Sequence, residues 1–521
     1  MAASRRPAWL TEPRFAALLA YATLSVFAIL FLDGFGPRDP HRYASHAVDL
    51  IDGGGVGPAD HWLLRWPMTG PLAAVFAVTG GSERVAAWVC LMWVGVLVAV
   101  TLRGARTVLG AGPGTLAAVF TAGSAFCAAQ AFEVRIHGVE TAFAAAACWV
   151  GIAGLRDGRA RHLFWAGVLA GGAWLCRETA APIPAVLGLA SLVAVRPWRA
   201  AGRTRAALLR LSASSAGFLA VLGAEFAGYA AATGDPFFRL MRSANHEAVT
   251  RGADPREVSG TAADAISTPL FQDPVTDLLT MPNVTPFALG AVLLAGLAAW
   301  SRRGRLFPGE AWAGAVFGGL AVVSWAFSSY VLRLEEVLYA PMLPYAAGVF
   351  AGWGVAVLAR RWGRAVLLVV PAWLVASAGA ADLRDYDEWS EPRWLAERLR
   401  TGDLAEPVVS DNVTTKRTRD LLALTGDDAS LLRERAALCA GRLVLSGNPR
   451  GRVGGGVPPG EDWTLLDTVM TRRGGHARAV LARVPVVRDV GPVRETLGPN
   501  LPVRLYRAGP SAGPCPDDAQ G

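Results

Sequence analysis

The sequence predicts a polytopic α-helical membrane protein of about eleven spans, followed by a small C-terminal α/β domain outside the membrane. Three observations predict it. Hydrophobic residues make up 53% of the 521 and charged residues only 18%, against about 25% charge in an average soluble domain. The apolar residues fall in blocks, and a block of about 20 crosses a bilayer. The basic residues gather in the short connections on alternate sides of those blocks, as the positive-inside bias requires. This composition excludes a disordered chain, a small disulfide scaffold and an ordinary cytosolic enzyme.

The blocks lie at 15–32, 85–102, 113–131, 138–155, 162–178, 179–195, 207–232, 284–300, 310–331, 336–358 and 364–382. Arg5, Arg6 and Arg14 precede the first, which lacks a small-residue cleavage site and reads as a signal anchor. One set of connections carries Arg103/Arg106, Arg156/Arg159/Arg161, Arg196/Arg199/Arg203/Arg205, Arg302/Arg303/Arg305 and Arg360/Arg361/Arg364. The other set (33–84, 132–137, 233–283 and 332–335) mixes arginine with carboxylates. The N-terminus is therefore expected in the cytoplasm and the C-terminus outside a plasma (inner) membrane. The net charge of +8 follows from that topology; no nucleic-acid partner is expected. Lys416 is the only lysine, and the bias to Arg, Ala and Gly points to a GC-rich, bacterial genome.

Residues 1–382 form the membrane unit and 383–521 the soluble one. In the outer loop 33–84, the apolar run Pro71–Val78 is too short to span and reads as interfacial or re-entrant. After 383, Val408-Val409, Leu443–Leu445, Trp463–Val469, Val480–Val484 and Val503–Tyr506 read as strands between Gly, Pro and Asp turns, with a helix at Pro392–Arg400. Cys90, Cys127, Cys148 and Cys176 lie in apolar blocks as small core residues. Cys439 and Cys515 lie in the polar third, where an oxidising compartment would permit a disulfide.

Chemistry-bearing residues gather in the outer connections. Asp39-Pro40 has the form of an N-cap followed by proline at the first helical position, with Tyr43 and Ala47 on one face. Asp39 either caps that helix or acts as a general base on an acceptor hydroxyl at the membrane boundary. Asp33, at the mouth of the first span, competes for the role. Arg135, Arg177 and Arg333 stand at the outer ends of three different spans. There each either snorkels, pairs with its neighbour (Glu133, Glu178, Glu335) or grips the oxygens of a lipid phosphate. Histidines 41, 46, 61, 137 and 246 fall in outer connections. No spacing among them matches a metal-ligand pattern, which leaves a divalent metal as an open cofactor. Neither a phosphate-binding glycine loop nor a Ser/His/Asp set is present.

The motifs and their order resemble the GT-C membrane glycosyltransferases, in the branch of the protein mannosyltransferases and aminoarabinose transferases. Asp39-Pro-His-Arg-Tyr43, Asp60-His-Trp-Leu-Leu-Arg65-Trp-Pro67, Gly70-Pro71-Leu72 and Gly80-Gly-Ser82-Glu83 are similar to that branch's first outer loop. Pro40 stands where the branch usually has a second carboxylate. Glu133-Val-Arg135-Ile-His137-Gly-Val-Glu140 resembles its Arg-plus-acid segment, and Gly171–Thr179 the segment that ends in a basic residue, here Arg177. Thr233-Gly-Asp-Pro236-Phe-Phe-Arg239, followed by Asn245-His246, is similar to its Gly-Asp-Pro motif; Tyr339-Ala-Pro341-Met-Leu-Pro344 matches a late span.

The resemblance implies an inverting transfer from a polyprenyl-monophosphate sugar to an envelope acceptor. Asp39 or Asp33 would be the base, and Arg177, Arg135 and Arg333 would hold the donor phosphate. Tyr43, His41, Arg65, Glu140, Arg239, Asn245 and His246 would contact substrate. A transporter or flippase is the rival from another class, with Glu225 as its ionisable residue inside a span. A non-catalytic scaffold is the third.

Overall fold

The computed structural model describes residues 18, 22–23, 40–53, 63–124, 126–127, 134–200, 204–243, 285–302, 305–332, 340–382, 390–410, 412–433, 437–446, 461–470 and 502–512. Apart from isolated residues, the first expected span lies outside them. So does the strand expected at Val480–Val484. In chain order the helices are α1 Pro40–Ile51, α2 Trp66–Thr79, α3 Glu83–Leu109, α4 Ala111–Ala122, α5 Ile136–Asp157, α6 Ala160–Cys176 and α7 Pro182–Ala200. They continue with α8 Thr204–Thr233, α9 Thr285–Ser301, α10 Pro308–Ala326, α11 Met342–Trp362, α12 Val369–Asp382, α13 Ser390–Arg400 and α14 Asn412–Thr425.

The protein is a polytopic helical membrane protein. Among the described residues five helices are long and apolar enough to cross a bilayer, namely Glu83–Leu109, Ile136–Asp157, Leu208–Thr233, Pro308–Tyr330 and Met342–Trp362, with shorter apolar helices between them. Where boundaries differ from expectation, backbone chemistry gives the reason. The helix expected from 336 begins at Met342, behind Pro341, because proline disfavours helical geometry in the residue before it. The helix expected over 113–131 runs only from Ala111 to Ala122. It is folded back on α3 through Gly110, whose φ of 90° suits glycine alone. The junction expected at 178/179 is a true break: Arg177 is extended (φ −166°, ψ 149°) and Glu178–Ala180 form one 3₁₀ turn.

The run at Pro71–Val78 belongs to α2, 14 residues with Met68, Thr69, Leu72 and Phe76 buried. At 1.5 Å per residue it reaches about 21 Å, short of the roughly 30 Å of a hydrocarbon core. Aromatic packing and a polar junction hold the bundle interior. Tyr345 Oη meets Thr101 Oγ1 at 2.8 Å and accepts from Trp149 Nε1 at 2.8 Å, joining α3, α5 and α11. All three side chains are buried, so these groups satisfy one another.

The C-terminal third forms a five-stranded mixed sheet in the order β2-β1-β3-β5-β4, with β1 Val408–Val409, β2 Leu432–Arg433, β3 Leu443–Ser446, β4 Thr464–Met470 and β5 Pro502–Arg507. β1 pairs parallel with β2 and β3; β5 runs antiparallel to β3 and β4. α14 and β2 were not expected. α14 makes the crossover between parallel strands that β1 and β2 require. Cys439 is disulfide-bonded, and Cys90, Cys127, Cys148 and Cys176 are free buried thiols.

α6 and α8 cross at glycines. A Cβ at Gly167 would stand 1.9 Å from the Ser214 carbonyl oxygen, and one at Gly217 would stand 2.0 Å from that of Phe164. Small residues let membrane helices approach this closely. Gly167→Val is expected to lower the unfolding midpoint in detergent, at a cost of about 1–3 kcal/mol. Gly188→Val, which meets nothing within 4 Å, should leave it unchanged.

Candidate active site

The two ends of the bundle differ in charge. At one end lie the arginine-rich connections, where Arg156 donates to the Thr107 carbonyl at 2.6 Å and Arg302 pairs with Glu310. At the other end five elements bring a balanced ionic cluster together. Arg65, Arg177 and Arg239 contribute guanidinium groups there, and Glu140, Glu178 and Glu225 contribute carboxylates.

Arg65 precedes α2, with Pro67 fixing the helix start. Its guanidinium donates to the hydroxyl of Tyr43, which is buried on α1. Burial alone would lower the Arg65 guanidinium, but Tyr43, Glu178 and Glu140 outweigh it and hold its pKa above the usual value. Glu140 is the fifth residue of α5, 1% exposed. Thr179 Oγ1 donates to it at 2.7 Å, and His137 Nδ1 lies 3.4 Å away. Arg177 Nη1 faces His137 Nε2 at 3.5 Å. The imidazole of His137 thus lies between Arg177 and Glu140.

Arg239 reaches the cluster from beyond α8. Gly234 (φ 78°) ends that helix, and Asp235 Oδ1 accepts the Phe237 N–H at 2.8 Å. The chain thereby turns back and buries Arg239 to 3% exposure. The guanidinium donates to Glu178 at 2.7 Å and to Glu225, and lies 5.4 Å from the Trp174 ring centroid. Trp174 Nε1 donates to Glu225 Oε2 at 2.9 Å. Trp66 Nε1 donates to Tyr229 Oη at 2.9 Å, which ties α2 to α8.

The structure thus gathers Tyr43, Arg65, Glu140, Arg177 and Arg239, with Arg135 at the head of α5. Asp33, Asp39, Arg333, Asn245 and His246 lie outside the described residues. Two expectations change. Glu178 pairs with Arg239, a long-range partner, rather than with Arg177. Glu225, the residue on which a transporter reading drew, is about 12 Å from the end of α8 by helical rise and is bound into the cluster. Thr179, Trp174 and Tyr229 were missed, because nothing local marks a threonine, tryptophan or tyrosine as a partner for a distant charge. Among the described residues no group of three or more His, Cys, Asp and Glu is placed to hold a metal ion.

His41 faces a residue of the tail. Its Nε2 is 3.1 Å from Asp420 Oδ2 on α14. The tail meets the bundle twice more at this end: Arg393 Nε donates to Glu83 at 3.1 Å, and Gly81 abuts the Leu424 carbonyl. Tyr43, Met68 and Phe76 share one apolar cluster with Leu395, Leu421 and Leu445.

Residues 67–222 match the family model described as dolichyl-phosphate-mannose-protein mannosyltransferase. The resemblance read from the loop motifs is borne out over that stretch, which contains Arg135, Glu140 and Arg177. No curated protein sequence matches the chain. Among solved structures, an oligosaccharyltransferase of Archaeoglobus fulgidus, in a complex with zinc and sulfate, aligns at TM-score 0.45 and 12% identity. The alignment covers 80% of this chain and 61% of that one, so the chain spans about three fifths of that protein's length. ArnT from Cupriavidus metallidurans, bound to undecaprenyl phosphate, aligns at TM-score 0.34 and 13% identity, over 97% of this chain and 100% of that one.

Two predictions follow from the ion pairs. Arg239→Ala leaves Glu178 and Glu225 without their shared guanidinium, and is expected to cost about 3–5 kcal/mol, read as a lowered unfolding midpoint. The second concerns pH. Burial pushes the Asp420 carboxyl up to about 6, against the opposing pull of Lys416, Arg42 and Arg419. A carboxyl raised in the fold favours the protonated state, so its contribution is full below pH 4 and declines as pH rises to about 6. Relative to wild type, Asp420→Asn should therefore gain stability across that interval. Parallel melting curves at pH 4 and pH 7 would show it.

Proposed function

We propose that the chain transfers a sugar from a polyprenyl-monophosphate donor, with inversion, to a glycan, lipid or protein acceptor of the cell envelope. The observation that carries this reading is the gathering of Tyr43, Arg65, Glu140, Arg177 and Arg239 at one end of a membrane bundle. Two of them, Glu140 and Arg177, lie within the stretch matched by the mannosyltransferase model. That family's name specifies a sugar carried on a dolichyl phosphate, a lipid monophosphate donor of the same kind.

The reaction is a single displacement. Asp39, one residue before α1, takes the proton of the acceptor hydroxyl, with Asp33 as the alternative base. The acceptor oxygen bonds to the anomeric carbon as the bond to the phosphate oxygen breaks, and the electron pair leaves with the lipid phosphate. That leaving group is already anionic, so it needs charge stabilisation rather than a proton. Arg177, with Arg135 and Arg333, supplies it. Tyr43, His41, Arg65, Glu140, Arg239, Asn245 and His246 are the residues assigned to contact the sugar or the acceptor. His41 positions α1 through Asp420.

The site end is assigned to the extracytoplasmic face of the plasma membrane, with the N-terminus in the cytoplasm. Two features support this: the arginine-rich connections lie at the opposite end, and the disulfide at Cys439 suits an oxidising compartment. The tail, residues 383–521, is the part that selects the acceptor.

The test is release of free polyprenyl phosphate by the purified protein, given a panel of polyprenyl-phosphate sugars and an envelope fraction. Arg177→Ala and Asp39→Asn are each expected to lower turnover at least ~100-fold. Full activity in Asp39→Asn with loss in Asp33→Asn would move the base to Asp33. No release from any donor, with lipid carried across vesicles instead, would replace the transferase by a transporter.

A further inference from the structure

A second site lies in the tail, away from the ionic cluster. A surface cleft of about 420 Å³ opens between the C-terminal half of α13, the 403–406 segment and the sheet. That volume is within the usual range of small-molecule sites, about 300–1,000 Å³. Its floor is apolar: Leu404, Leu443 and Leu505 are each less than a tenth exposed. Leu443 and Leu505 lie on one face because their strands pair with Leu443 opposite Arg507 and Leu445 opposite Leu505.

The wall is made by an irregularity. Adjacent residues in a strand point to opposite faces, yet Leu466 and Asp467 both line the cleft. The pairing of β4 with β5 slips between Leu465 and Asp467, leaving Leu466 as the extra residue of a bulge. A bulge re-aims a side chain in this way and is common beside functional sites. Leu466 is accordingly an exposed leucine at the cleft's edge.

The rim carries charge that is already matched. Arg398 lies 3.1 Å from Asp403 and 3.6 Å from Asp467, with its guanidinium over the Trp394 ring; Arg507 lies 3.0 Å from Glu406. A charged ligand would have to displace a partner from one of these pairs. A neutral ligand rich in hydroxyls would not, since a paired carboxylate keeps free lone pairs and a paired guanidinium keeps free N–H groups. An apolar floor beneath such a rim suits a ring with a C–H face and hydroxyl edges.

We infer that this cleft binds a neutral saccharide, so that the acceptor of the transferase proposed above is a glycan or glycoconjugate. The inference rests on that reading for the word acceptor, but not for the binding itself. α13 joins the cleft to the bundle, because Arg393 on the same helix holds Glu83 at the head of α3.

Saturation-transfer NMR on the detergent-solubilised full chain, with neutral trisaccharides of glucose, mannose, galactose and arabinose, tests it. Transfer to the ring protons of at least one sugar is expected. Leu466→Asp should weaken binding at least tenfold, and so should Trp394→Ala. Leu465→Ser, outside the cleft, should bind as wild type with an unchanged melting curve. No transfer from any of the sugars would overturn the inference. So would undiminished binding by Leu466→Asp, or displacement of the sugar by a basic peptide. Polyprenyl phosphate release is measured on the same samples. Saccharide binding without release would sink the transferase reading alone; release with a glycan acceptor whose KM is unmoved by Leu466→Asp would sink this inference alone.

Discussion

Buried charge is the constraint on which this architecture turns. Arg239 sits among apolar helices with almost no access to water, where an unpaired guanidinium would be far costlier than at a surface. It is tolerated because Glu178 and Glu225 converge on it from two elements, with Trp174 joining the second carboxylate. That convergence fixes the position of the turn after α8 and the break between α6 and α7. Arg177 sits in the break. Arg177 faces His137 on the neighbouring helix, while Glu178 turns away from it to Arg239.

The helical bundle supplies the rigidity that such an arrangement needs. Lipid gives helices no hydrophobic reason to associate, so contact area and internal hydrogen bonds carry the association. The glycine crossing of α6 and α8 brings backbones together. The junction of Thr101, Trp149 and Tyr345 pins three helices deep in the interior. Both features lie below the ionic cluster and hold its supporting elements in register.

Much of this was legible in the sequence, for reasons that are local. Apolar block length marks α3, α5 and α11, and the Arg177-Glu178 junction marks the break between two helices. Tyr43, Arg65 and Glu140 stood in motifs that resemble the family's outer-loop and helix-start segments. The long-range facts were not legible. Nothing in the order of residues says that Glu178 faces Arg239 across some sixty positions, or that His41 faces Asp420 in the tail. α14 escaped notice because its first turns are threonine- and arginine-rich; its apolar face, Leu421, Leu422 and Leu424, gains meaning only against α1 and the sheet.

The seam between the tail and the first loop has a consequence for how such a protein can diverge. Tyr43, Met68 and Phe76 share an interior with Leu395, Leu421 and Leu445, while Arg393 and Asp420 reach across to Glu83 and His41. A change on either side must be accommodated on the other. The tail is thus no detachable module to be exchanged by recombination near residue 383. A lineage that acquires a new acceptor has to rework the C-terminal segment and the first loop together, and hybrids joined at that boundary inherit two mismatched halves of one core.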